Sequence, residues 1–317
     1  MRLGLLLLGL LLPAGLLAFD PPSENERLAA LGNRFELPAS IRPLFTPDAD
    51  FRPIPRPRGD DWLTWHTERG QTFDDYKAAE PNRPDATRRT IYLLPLGEFD
   101  GDAAPDLEAL RAYAAAFFQL EARLLPLHDP HDLEFSPRKH RGTGRRQVRS
   151  TDILAYLKTR LPADAYCLIG VTMTDLYPEP SWNYVFGQAS LAERVGIFSF
   201  ARYDPAFFGE ERGRNFRDLI LQRSCKVLAH ETAHMFGMGH CIYFDCLVNG
   251  SNSLAETDRQ PQHLCPVCLR KLHEVTWLDP ARRYRELGDF YRARQWFDDL
   301  DFVNRQLARL PAAADSR

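Results

Sequence analysis

An excess of charge of either sign is missing from this 317-residue sequence, in which 40 lysines and arginines face 43 aspartates and glutamates for a net charge of −3. A chain so balanced lacks the field of a dedicated nucleic-acid binder, and no nucleic-acid partner is expected. Internal repeats are absent, which excludes a stacked-repeat architecture. Cysteine is scarce, six in all, and the spacing of four of them does not suit a disulfide framework. Long apolar runs are missing too, apart from one at the start. What remains, 44% hydrophobic and 26% charged, describes an ordinary globular protein with a substantial core in one large domain or two small ones.

The exceptional run comes directly after Met1-Arg2 and reads LGLLLLGLLLPAGLLA, with small residues near Ala18. One positive charge, an apolar stretch and a small-residue exit predict a secretory signal peptide over 1–18 and export to the periplasm or beyond the cell. The run is also close to the lower limit of about 17 residues for a spanning helix, so an uncleaved N-terminal membrane anchor is the alternative. Pro13 favours cleavage, after which no stable membrane insertion is expected.

Residues 19–89 are rich in proline and charge, as in FRPIPRPRGDD, and read as an extended arm or linker. Trp62, Leu63 and Trp65 suggest that part of it docks on the domain C-terminal to it. From Thr90 a compact pattern begins. TIYLLPL reads as a buried strand, Asp106 to about Leu120 carries apolar residues at helical spacing, and ARLLPL returns as a second strand. This is a β-α-β opening, which predicts a partly parallel sheet. The segment RKHRGTGRRQVR, with Gly142 and Gly144, reads as an irregular solvated basic loop, or as a partner-binding or protease-sensitive one. A helix (TDILAYLKTR) and strands YCLIGVTMT, NYVFGQA and VGIFSFAR come next, making five strands and two helices before a helix from about Asn215 to Met235. A charged, aromatic-rich helix from about Pro280 to Leu310 closes the chain.

The helix ending at Met235 carries HETAHMFGMGHC, residues 230–241. His230 and His234 are four apart and therefore share a helix face, where both can offer ring nitrogens to one metal ion. Glu231 sits beside that ion without being a ligand, in the position of a base. Gly237 can adopt the left-handed conformation that ends a helix and turns the chain back, bringing His240 in as a third ligand. Three imidazoles leave a fourth tetrahedral position open, the arrangement of a catalytic zinc. The ligand set points to amide hydrolysis by metal-activated water with Glu231 as general base. The bland alternative is a group of satisfied helix-end histidines, against which the full length of the match stands.

Four cysteines fall as Cys241-x4-Cys246-x18-Cys265-x2-Cys268. Four thiolates saturate tetrahedral zinc, so this second ion would be structural. A redox dithiol at CPVC and a nucleic-acid knuckle are the competing readings, and the loop between the pairs has little basic or aromatic content to support the latter. Cys167 and Cys225 lie in apolar stretches and read as buried, unreactive thiols that could pair only if the fold brings them together. His128 and His131 read as loop residues, and His263 and His273 as structural or exposed.

The combination of HETAHMFGMGHC, YFDC and LCPVC resembles the archaemetzincins, a branch of the metzincin metallopeptidases. The resemblance runs from about Asp60 and includes TIYLLPLG, VTMTDLYP, SWNYVFGQASL and VGIFSFARY. It implies an α/β metzincin-like zincin domain over 90–278, with a mixed twisted sheet, an active-site helix and a C-terminal four-cysteine zinc knuckle within 241–268, then a C-terminal helix and tail over 279–317. It further implies an antiparallel edge strand along the substrate cleft, here NYVFGQA. It implies two zinc ions, a catalytic one on His230, His234 and His240 and a structural one on Cys241, Cys246, Cys265 and Cys268. Peptide or protein substrates are implied, with aminopeptidase action as one form of the activity. The competing function is a non-catalytic zinc protein whose cleft binds a partner, and the intact Glu231 argues against it. The chain departs from the family in two ways: Val248 stands where a methionine usually forms the floor of the site, and a leader precedes a protein type that is commonly intracellular.

Overall fold

The computed structural model describes residues 19–99, 101–128 and 135–311. The leader expected at 1–18 and His131 lie outside the described residues. Among the described residues, no helix is long and apolar enough to cross a membrane.

Three short helices, α1 (Glu24–Ala29), α2 (Trp62–Trp65) and α3 (Phe73–Ala78), punctuate the N-terminal segment. Ser23 and Thr72 start α1 and α3 as reciprocal capping boxes with Glu26 and Asp75. The segment expected to be an arm or linker is folded onto the rest of the protein, because Ala30, Leu31, Leu44, Phe45, Phe51 and Tyr76 enter the main core. Proline and charge had masked these apolar anchors, which obey neither a helix nor a strand period.

The sheet begins with β1 (Thr90–Leu96), buried along its whole length, and continues through α4 (Leu107–Phe118) to β2 (Ala122–Leu124). Next come β3 (Pro137–Lys139), β4 (Arg146–Arg149), α5 (Ser150–Arg160), β5 (Ala165–Thr172), β6 (Asp175–Tyr177), β7 (Gly187–Ser190) and β8 (Val195–Ser199). Five strands form one sheet in the order β2-β1-β5-β8-β7, parallel except at β7. The mixed sheet is the one expected, and its antiparallel edge strand occupies the second half of NYVFGQA. A smaller sheet orders β3-β4-β6. The basic segment read as an irregular loop therefore forms a hairpin, β3 pairing antiparallel with β4.

α6 (Phe216–Met235) packs against the sheet; Gly196 of β8 lets it close in, since a Cβ there would come within 2.8 Å of the Met235 methyl carbon. Beyond it, α7 (Leu254–Arg259) and α8 (Pro266–Thr276) lie in a stretch where no helix was foreseen. The single closing helix is instead a pair, α9 (Pro280–Ala293) and α10 (Phe297–Ala308), broken where Gln295 takes a left-handed φ of 58°.

Candidate active site and metal centres

α6 ends as its sequence demands. Phe236 is the C-cap, Gly237 adopts φ 79°, and the Gly237 N–H returns to the His234 carbonyl at 2.8 Å. The carbonyls that a helix end leaves without partners find donors from elsewhere in the chain. Tyr166 Oη donates to Met235 O at 3.0 Å, Tyr76 Oη to Phe236 O at 2.7 Å, and Gln71 Nε2 to Gly237 O at 3.2 Å. Gln71 Oε1 also accepts from the Gly239 N–H at 3.0 Å, so the arm brackets the loop that leaves the helix.

That loop carries His240 back beneath the helix. One ring nitrogen of each of His230, His234 and His240 lies within 4.8 Å of the others. On all three rings Nδ1 faces an oxygen acceptor: Leu247 O at 2.9 Å for His230, Met238 O at 2.6 Å for His234 and Glu68 Oε1 at 2.7 Å for His240. A carbonyl or carboxylate oxygen can only accept, so Nδ1 holds the proton and Nε2 is left with a free lone pair. The Nε2 atoms of His230 and His234 are 3.1 Å apart, near the roughly 3.4 Å edge of a tetrahedron with zinc–nitrogen bonds of about 2.0–2.1 Å. Burial keeps both rings neutral, holding His230 well below the usual histidine range and lowering His234 to about 4. Neutral imidazoles with converging lone pairs fit a metal ion.

Glu231 is next to His230 on the same helix and faces the same space. Burial pushes its carboxyl up to about 7, with His240 opposing the shift. These groups line a cleft of about 530 Å³ whose walls include Trp62, Trp182, Tyr184, Phe186 and Leu247. β7 forms the adjoining edge of the sheet, where an unpaired strand can add an extended peptide by main-chain hydrogen bonds.

The second cluster adjoins the first. Sγ atoms of Cys241, Cys246, Cys265 and Cys268 all lie within 4.8 Å of one another. Cys241 and Cys265 sulfurs are 3.7 Å apart, which suits the roughly 3.8 Å edge of a tetrahedron with zinc–sulfur bonds of about 2.3 Å. All four are buried free thiols. Backbone N–H groups of Val248 and Cys265 point at the Cys246 sulfur, at 3.5 and 3.3 Å. Asn249 clamps the loop, its Nδ2 donating to Cys241 O and Phe244 O at 2.7 and 2.9 Å while its Oδ1 accepts from Cys246 N at 2.7 Å. Val248 is fully buried, and its carbonyl accepts the Cys241 N–H at 2.9 Å.

All seven ligand candidates read from the sequence thus gather into two groups. Cys167 and Cys225 are buried free thiols, as expected, Cys167 pushed up to about 12 by burial. His128 is bound to Tyr156 Oη at 2.7 Å and is not a free loop residue. Glu68, Gln71 and Asn249 escaped the sequence reading, and Trp62 was expected to help dock the arm but not to reach the site. Asn249, beside the cysteines, had proximity as its one signal, while Glu68, 172 residues from His240, had none.

Residues 156–274 match the sequence profile described as Peptidase family M54. Archaemetzincin-2 of Homo sapiens is 37% identical to this chain over 306 residues, covering 87% of the chain and 82% of the relative. Archaemetzincin-1 of Mus musculus is 34% identical and covers 73% of this chain and 52% of its own length. A solved archaemetzincin from Methanopyrus kandleri is 26% identical, covering 62% of this chain and 99% of its own, with a TM-score of 0.46.

Proposed function

This chain belongs to the archaemetzincin family of zinc metallopeptidases, and from that premise we propose that it hydrolyses peptide bonds with Glu231 as general base. The observation that carries the proposal is the convergence of three Nδ1-anchored histidines on one point beside a buried carboxyl, inside a cleft bordered by an edge strand. His230, His234 and His240 would hold the catalytic zinc. When bound, zinc supplies the Lewis acidity that makes a water nucleophilic near neutral pH and polarises a carbonyl. The chain's own residues do the rest. The edge of β7 aligns an extended peptide along the cleft, and Trp182, Tyr184 and Phe186 shield it from bulk water. A Glu231 carboxylate oxygen takes the proton of the attacking water and returns it to the leaving amine. Cys241, Cys246, Cys265 and Cys268 would hold a second zinc with no open position, which acts on folding and not on substrate.

The test is peptide turnover by the zinc-loaded chain and by Glu231→Ala. The variant should keep its zinc and lose about a hundredfold or more in rate, as when a general base is removed. A fully active variant would overturn the role of Glu231. A parent that binds peptides and cleaves none would favour a non-catalytic binding protein. Matched peptides with free and acetylated N-termini separate aminopeptidase from endopeptidase action.

A further inference from the structure

The three histidines are not braced alike. His230 and His234 sit on α6 and give their Nδ1 protons to backbone carbonyls 17 and 4 residues away. His240 lies past the helix end on irregular backbone, and its Nδ1 partner is the Glu68 carboxylate at 2.7 Å, brought from 172 residues away by the N-terminal arm. We propose that Glu68 is a positioning residue for the third zinc ligand, so that the arm is a working part of the active site. The proposal rests on the assignment of His240 as a zinc ligand.

Glu68 is itself held. Trp62 Nε1 donates to the same Glu68 oxygen at 2.7 Å. The Trp62 backbone N–H donates to the two Glu256 oxygens at 2.9 and 3.1 Å, anchoring the arm to α7. The indole lies edge-on to His240, with ring centroids 5.1 Å apart and planes at 77°. It also stacks on the His66 ring, with centroids 3.6 Å apart and planes at 17°, and lies against Gly250, where a Cβ would come within 2.5 Å of the indole, so glycine is required for the ring to lie there. Gln71, three residues along the arm, brackets Gly237 and Gly239. The exit loop is therefore gripped at two points, and the second grip acts directly on a ligand ring.

The choice of a carboxylate has a chemical consequence. A hydrogen bond to a charged acceptor is about twice as strong as one to a neutral one. It fixes the ring orientation and the tautomer with the lone pair on Nε2, and loss of such a partner typically weakens metal binding or activity by about 10–100-fold. A loop ligand, lacking the rigidity of a helix, gains most from it.

The experiment uses the full chain as parent, Glu68→Gln and Glu68→Ala. Affinity for Zn2+ alone is measured by competition with a chelator, with zinc at the four cysteines as internal reference; kcat and KM are measured at saturating zinc, and Tm on samples whose histidine site is metal-free, because bound zinc itself adds to stability. Glu68→Ala should lose about 10–100-fold in affinity at the histidine site. Glu68→Gln keeps a neutral acceptor and should fall between. In both, kcat should drop while KM and Tm stay near the parent's. Unchanged zinc affinity and kcat in Glu68→Ala would overturn the proposal. So would losses in both variants that track an equal fall in Tm, since Glu68 would then merely dock the arm. A parent that binds zinc on its histidines but cleaves no peptide overturns the peptidase reading alone, and the affinity comparison still decides the role of Glu68.

Discussion

Asp175 carries a charge into a place that water does not reach, with 2% of its side chain exposed and 5% of that of its partner Arg202. Arg202 donates to both carboxylate oxygens at 2.8 Å, and Gln147 Nε2 adds a third bond at 2.9 Å. The same guanidinium lies over the Tyr184 ring, 3.5 Å from its centroid, and so supports one wall of the cleft. Removing one member strands the other as a lone buried charge, at about 3–5 kcal/mol. Arg202→Met should therefore lower stability in urea unfolding by about that much. Arg202→Met with Asp175→Leu should recover part of the loss, because neither charge then remains. A double variant less stable than the single one would show that the pair is not the source of the effect.

At the scale of elements, the turn 246–248 ties the two candidate metal centres together. Cys246 is one thiol of the four-cysteine group, the Leu247 carbonyl holds His230 Nδ1, and the Val248 carbonyl holds the backbone of Cys241, the residue next to His240. Cys241→Ser should release the zinc proposed for the four cysteines and with it the folding free energy of this loop. Displacement of a ligand by about 1 Å can cost on the order of a hundredfold in rate, so hydrolysis should fall although no catalytic group has changed. Zinc content and turnover measured together on Cys241→Ser, with Cys268→Ser for comparison, decide it; loss of one zinc at the parent rate would show independent sites. What could be read from the sequence obeys the same division between near and far. His230 and His234 declare themselves by a spacing of four on a helix, Gly237 by the backbone it permits, and the cysteines by close pairs. Glu68 and Trp62 have no such pattern, because only the folded arm brings them to His240. The β3–β4 hairpin stayed hidden because it is largely polar, without alternating apolar residues. The closing helix was read as one because helical spacing continues on both sides of Gln295, a residue with no turn signature.

Over the whole molecule, the arm and the C-terminal helices close on each other. Arg305 Nε and Gln306 Nε2 of α10 reach the two oxygens of Asp50 at 2.8 and 2.9 Å, and Arg309 Nη1 reaches Asp48 at 2.8 Å. Between them and α6 lies a cavity of about 760 Å³, larger than the catalytic cleft and without any of the three clustered histidines. Asp299 lines it. Burial raises its carboxyl to about 6, with Lys226 opposing and Asp298 adding to the shift. A folded-state value above the unfolded one means that the protonated form favours folding. The contribution is complete below about pH 4 and is lost as the pH rises through about 6. Asp299→Asn removes that loss, and should raise stability at pH 8 by on the order of 2 kcal/mol while changing little at pH 4. Thermal melts at the two pH values check it, and an equal shift at both would contradict the linkage.

The grip of Glu68 on His240 also sets an order of events in the life of each molecule. A ribosome releases the arm first and reaches His240 172 residues later, which at about 5–20 residues per second is roughly ten to thirty seconds. The cysteine knuckle that steadies the exit loop comes later still. Throughout that interval the nascent chain has a carboxylate with no histidine to hold, and then histidines with no finished loop to stand on. If Glu68 and the knuckle position His240 as proposed, a hydrolase assembled in this sequence is inert while it is being made, and gains the means to cut polypeptides only when its own has been completed through the knuckle.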